Sequence, residues 1–117
     1  MPQVYYVGLL AGGNDMSLLA RTGSGRDVNR HYYSPAEIDA DLDRAVVQAL
    51  GRLIRFRNSH SAFAGDPTWS GSSSTITMRW ARGGDEAVLD ADLATGSAEV
   101  TWTADGSRCR APLAGLP

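Results

Sequence analysis

Thr75-Ile76-Thr77-Met78-Arg79-Trp80-Ala81-Arg82, followed by Gly83-Gly84-Asp85, is the stretch from which the fold is read. Ile76, Met78 and Trp80 alternate with Thr75, Thr77 and Arg79, the period-two pattern of a strand with one buried face. Gly83-Gly84-Asp85 and Ala104-Asp105-Gly106 supply turn residues. Around them Trp69, Ala87–Leu93, Val100–Ala104 and Ser107–Arg110 read as further short strands. The spacing predicts a small antiparallel sheet or meander over residues 64–112, entered through the chain-breaking Gly65, Asp66 and Pro67. The Leu113–Pro117 end reads as frayed.

Toward the N-terminus the period changes. Ser34-Pro35-Ala36-Glu37 is a helix start: Ser34 caps, Pro35 suits the first helical position, and Glu37 completes a capping box. A short acidic helix to about Asp43 is predicted, then a second from about Arg44 to Asn58. In the second, Val46, Val47, Leu50, Leu53, Ile54 and Arg57 form the i, i+3/i+4, i+7 stripe. Arg44, Arg52 and Arg55 lie off it. Residues 11–33 form a long polar stretch with Gly12, Gly13, Gly23 and Gly25, a length that usually carries function. A helical turn near Asp15–Arg21 is predicted within it, capped by Asn14 or Asp15. Residues 3–10, Gln-Val-Tyr-Tyr-Val-Gly-Leu-Leu, read as a parallel strand buried on both faces. Such a strand needs neighbours on both sides, and no partner strand follows before residue 68.

Composition sets the bounds. The chain has 117 residues, 43% hydrophobic and 21% charged, which argues against wholly disordered, collagen-like and membrane chains. No apolar run approaches the ~18 residues of a spanning helix, and no basic stretch with an apolar core marks a signal peptide. The formal charge is −2, and all 11 basic residues are arginine. Neither half of the chain is basic, so nucleic-acid binding has little support. The single Cys109 cannot form an internal disulfide, which suits a reducing cytosol. A (β/α)8 barrel takes roughly 250 residues, so motifs of a large enzyme found here would make the chain a piece of one.

Several candidates for chemistry keep two readings open. Gly23-Ser24-Gly25 lacks the third glycine of a dinucleotide fingerprint and the lysine of a P-loop, leaving a phosphate nest or a flexible turn. Arg26-Asp27-Val28-Asn29-Arg30-His31-Tyr32-Tyr33 is the densest polar cluster, either a carbohydrate subsite or a solvated loop with local ion pairs. His31 and His60 lack metal-ligand spacing, and His60 suits a helix C-terminus. Asp39, Asp41 and Asp43 lack the glycine and terminal glutamate of a calcium loop. No metal site and no cofactor are expected. Trp69, Trp80 and Trp102 are core packing of a small sheet, or a sugar-stacking platform.

Together these residues resemble a known family. Pro2-Gln3-Val4-Tyr5-Tyr6-Val7-Gly8-Leu9-Leu10-Ala11-Gly12, Asn14-Asp15, and Gly25-Arg26-Asp27-Val28-Asn29-Arg30-His31-Tyr32-Tyr33 are similar to the C-terminal part of the sucrose phosphorylases. These enzymes form the phosphorylase subfamily of the α-amylase-like glycoside hydrolase clan. Val46–Leu50 and Arg55-Phe56-Arg57-Asn58-Ser59-His60-Ser61-Ala62-Phe63 continue the likeness, which is good over residues 2–65 and weaker beyond. Ala45 and Ser61 depart from it, standing where the family often has proline.

The resemblance implies an α+β fragment. Residues 1–63 would be the last strand, active-site loop and closing helices of a (β/α)8 barrel, and residues 64–117 a small antiparallel β domain. It explains the orphan strand and the long loop, because barrel enzymes build their sites from loops after strands. The implied reaction is reversible, retaining phosphorolysis of sucrose to α-glucose 1-phosphate and fructose. It uses an aspartate nucleophile, a glutamate acid/base and a stabilising aspartate, all three contributed by earlier strands. No catalytic residue is therefore assigned here, and this chain alone is expected to be inactive. Arg26 is the implied substrate-binding residue, holding a distal hydroxyl of the glucosyl unit. Asp27, Asn29, Arg30 and His31 are implied to shape the loop. Sucrose, glucose 1-phosphate and phosphate are the implied partners of the parent, with no nucleic acid and no membrane, and a homodimeric parent is left open. A sister phosphorylase, acting on glucosylglycerate or sucrose 6′-phosphate, and a non-catalytic sugar- or protein-binding β module are the alternatives. Met1 falls where the family reads further upstream sequence, so a fragment of a longer gene is expected.

Overall fold

The computed structural model describes residues 3–117, so the expectations for Met1 and Pro2 lie outside it. Helices α1 (Tyr6–Leu9), α2 (Met16–Thr22), α3 (Pro35–Leu42) and α4 (Ala45–Ser59) come first. Strands β1 (Thr68–Gly71), β2 (Thr75–Arg82), β3 (Asp85–Asp92), β4 (Ser97–Ala104) and β5 (Ser107–Pro112) follow. Single turns of 3-10 helix cover Gly25–Asn29, Ser61–Ala64 and Leu113–Gly115. The chain packs as two compact units, one running to Gln48 and the other from Ala49 to Pro117, and the division falls inside α4.

The second unit is the predicted meander. Its five strands pair antiparallel in the order β1-β2-β3-β4-β5. Gly83 and Gly84, with φ of 61° and 96°, close the β2–β3 hairpin in the two-residue geometry that needs positive φ. The register places Ala87 between Trp80 and Trp102, and Leu89 between Met78 and Val100. A small side chain between two indoles lets that row lie flat, and Ala87 is completely buried. Phe56 from α4 lies across this face, its ring 5.2 Å from Trp102 and 5.5 Å from Phe63. Phe56, Val100 and Leu116 form the core, with Leu53, Phe63, Leu89, Trp102 and Leu113 against it. Burial of Leu116 anchors a chain end that the sequence reading left frayed. His60 ends α4 through its amide, which donates to Phe56 O, and its ring Nε2 lies 2.8 Å from Thr103 O on β4.

The first unit is built from short helices. Asp15 caps α2, accepting from Leu18 N at 2.7 Å, and Ser34 and Glu37 form the predicted capping box of α3. The parallel strand expected over residues 3–10 is corrected: residues 3–5 have no regular structure and Tyr6–Leu9 is one helical turn. A continuous apolar run carries no period to separate strand from buried helix. With no strand beside it among the described residues, the backbone pairs locally, Leu9 N with Tyr5 O at 2.9 Å and Leu10 N with Tyr6 O at 3.0 Å.

Candidate functional site

In the first unit the polar stretch between α1 and α3 folds around a cavity of about 590 Å³. Gly12, Asn14, Asp15, His31, Tyr33, Glu37, Asp41 and Arg44 are among its lining residues. Gly12 lets the Tyr33 hydroxyl and the Val7 side chain approach closely, where a Cβ would make one of them shift. Arg44 donates to Leu10 O and Ala11 O, both at 3.1 Å, and pairs with Asp41 at 3.2 Å. It therefore satisfies carbonyls left open where α1 ends.

His31 stands at the centre. Its Nδ1 is 2.7 Å from Asp15 Oδ2, its Nε2 is 3.2 Å from Glu37 Oε1, and its ring lies edge-on to Tyr33. The Asp15 hydrogen bond, then that of Glu37, raises the imidazole pKa above its ordinary value. His31 and the Leu18 amide hold the Asp15 carboxyl below its usual range. The Ser34 amide and hydroxyl, then His31, do the same for Glu37. Burial, and then the Asp41 carboxylate, raises the Tyr33 phenol. Both ring nitrogens of His31 face carboxylates, an arrangement that favours the protonated ring and leaves neither nitrogen free to act as a base. Asp15 and Glu37 are equally occupied, which leaves the cavity without an unengaged pair of carboxylates from these two residues.

The other residues singled out from sequence lie elsewhere. Arg26, Asp27 and Asn29 sit on the 3-10 turn Gly25–Asn29, and Arg30 follows it. None of the four lines the cavity. Arg26 and Arg30 are exposed, and among the described residues neither guanidinium has a hydrogen-bond or ion-pair partner. The structure brings His31 together with Asp15 and Glu37, which sequence reasoning identified only as caps. Nothing in the spacing marks the join, because the partners are 16 and 6 residues from His31. The tryptophans do not form one platform: Trp80 packs on Phe63, Trp102 on Phe56, and Trp69 is 78% exposed. Among the described residues no three His, Cys, Asp or Glu side chains gather to hold a metal, and no helix is long and apolar enough to cross a membrane.

No protein-family model matches the chain. It is 52% identical over 90 residues to a sucrose phosphorylase of Bifidobacterium adolescentis, covering 76% of this chain and 18% of that protein. It is 45% identical over 102 residues to a sucrose phosphorylase of Agrobacterium vitis, covering 86% of this chain and 21% of that one. The crystal structure of sucrose 6F-phosphate phosphorylase from Thermoanaerobacter thermosaccharolyticum superposes with a TM-score of 0.88 at 37% identity, over 95% of this chain and 23% of that chain. The chain thus spans about a fifth of the length of the curated relatives it matches.

Proposed function

We propose, from its match to the C-terminal segment of sucrose-phosphorylase-family proteins, that this chain is the C-terminal part of a retaining phosphorylase that converts sucrose and phosphate to α-glucose 1-phosphate and fructose. The identity of 52% over 90 residues carries the reading. Residues 1–63 belong to the closing part of a (β/α)8 barrel and residues 64–117 to its small β domain, working in a reducing cytosol.

The side chains divide the labour accordingly. A retaining transfer needs two free carboxyl groups roughly 5–5.5 Å apart. Asp15, Glu37 and Asp41 are held in caps and ion pairs, and the resemblance to the sucrose phosphorylases implies that the reacting carboxylates come from the remainder of the parent. Among the described residues Arg26 has no hydrogen-bond or ion-pair partner, and its forked donors suit a sugar hydroxyl and a carboxylate from that remainder at once. Asp27, Asn29, Arg30 and His31 shape the turn that presents it. A phosphorylated acceptor is the second reading, favoured by the structural neighbour that acts on sucrose 6F-phosphate. The acceptor is chosen by loops outside this chain.

A chimera tests the proposal. This chain replaces the matching C-terminal segment of the Bifidobacterium adolescentis enzyme, and release of glucose 1-phosphate from sucrose and phosphate is measured. The chimera turns over and the chain alone does not. Arg26→Ala in the chimera lowers kcat/KM by roughly 10- to 100-fold, the loss of a charged hydrogen bond. A folded chimera without turnover sinks the reading, and an unchanged kcat/KM sinks the role of Arg26.

A further inference from the structure

We propose that His31 is a positioning residue: its ring clasps the capping carboxylates of α2 and α3 together and so fixes the 3-10 turn that carries Arg26. Three restraints converge on Asp15. Its Oδ1 accepts from Leu18 N at 2.7 Å, its Oδ2 meets His31 Nδ1 at 2.7 Å, and its own amide donates to Val28 O at 2.6 Å. Val28 lies within the Gly25–Asn29 turn, two residues from Arg26. On the other side Glu37 accepts from Ser34 N and Ser34 Oγ, both at 2.7 Å, through one oxygen and meets His31 through the other. Each cap uses one carboxylate oxygen for its helix and one for the imidazole. Tyr6 holds the backbone of the clasp, its hydroxyl donating to His31 O at 3.1 Å.

The clasp is complete only when the ring is charged. An imidazolium has two N–H donors, one for each carboxylate, whereas the neutral ring has one donor and turns a lone pair toward the second carboxylate. The groups facing His31 are Asp15 from α2, Glu37 from α3 and the Tyr33 ring; Asp41 and Arg44, which share the cavity, pair with each other. The net field favours the cation. Because the folded pKa is raised, the contribution is full below the ordinary histidine value and is lost as pH rises through the raised one. That this ordering serves Arg26 rests on the phosphorylase reading; the clasp does not.

The test uses the whole chain and needs no sugar. Its two histidines, His31 and His60, are followed by their imidazole resonances, assigned with the His31→Gln variant. Three variants are compared with the unaltered chain: Asp15→Asn, Glu37→Gln and His31→Gln. Asn still caps and Gln still completes a capping box, so the first two remove charge from the clasp and leave both helix starts. The expected result is a His31 midpoint above the ordinary value, lowered by each carboxylate substitution, with the His60 resonance unmoved. The Asp15 amide protection factor falls about tenfold, across the His31 titration, for each unit by which that midpoint is raised. In His31→Gln it is flat with pH. A purely space-filling His31 gives no such profile. An ordinary His31 midpoint, a midpoint indifferent to both substitutions, or an Asp15 amide unprotected at every pH overturns the proposal. A clasp that titrates as described, beside a chimera that releases no glucose 1-phosphate, overturns the phosphorylase reading and leaves the clasp standing.

Discussion

The two units of the chain are held by different physics. In the second, aromatic and aliphatic side chains do the work: Phe56, Val100 and Leu116 are each only 3% exposed, and every strand pairs with its neighbour in sequence. In the first, Val7, Leu10, Leu18 and Val47 are buried, polar clasps join the short helices, and Val4, Tyr5, Tyr6, Met16, Tyr32, Ile38, Leu42 and Val46 remain exposed. The second unit buries most of its hydrophobic pattern, with Trp69, Ile76 and Leu93 left exposed. The first leaves more of its large apolar side chains exposed, and its relatives are about four times the length of the chain.

The largest expected effect breaks this comparison or confirms it. Phe56→Ala removes the ring shared by Trp102, Phe63 and His60. It should destabilise the second unit by about 3–5 kcal/mol, read as a lower urea midpoint in tryptophan fluorescence. The His31 resonance should stay where it is. Its loss in the same transition would show that the units are one cooperative body.

The same contrast decides what the sequence could reveal. The meander was legible because alternation and turn residues are local signals. Only the strand ends were misjudged: β3 begins at Asp85 and β4 at Ser97, where the outward-facing Glu86 and Glu99 hid the period. The caps at Asp15 and Ser34 were legible for the same reason. The segment over residues 3–10 was not, because an apolar run takes its conformation from what covers it. His31 was legible as a member of a polar cluster, but its partners are set by how α2 and α3 meet, and no spacing encodes that. Arg26 came from resemblance to a family, and the observed turn leaves it exposed and without a partner among the described residues.

A smaller effect sharpens the picture of the first unit. Ser34→Ala deletes the cap and half of the capping box of α3. The expected loss is about 1 kcal/mol, seen as faster amide exchange at Ile38, whose N–H bonds Ser34 O at 3.1 Å. Exchange in β2–β4 should not change. Accelerated exchange there would make the cap a support for the sheet and erase the distinction drawn above.

The smallest effect concerns charge in the second unit. Arg79 and Glu86 pair through two hydrogen bonds of 2.9 and 3.2 Å on the outward face of the sheet, with side chains 55% and 37% exposed. Arg79 holds the Glu86 carboxyl below its usual range. The stabilisation is therefore present above the ordinary carboxylate pKa and is lost as pH falls through the lowered one. Solvent and salt screen a pair this exposed. Arg79→Ala should accordingly leave the urea midpoint at neutral pH almost unchanged, and remove only a small acid-side slope from the stability profile. A large neutral-pH loss would mean that this sheet, like the first unit, depends on its polar clasps, and the division between an apolar and a polar unit would fail where it is easiest to measure.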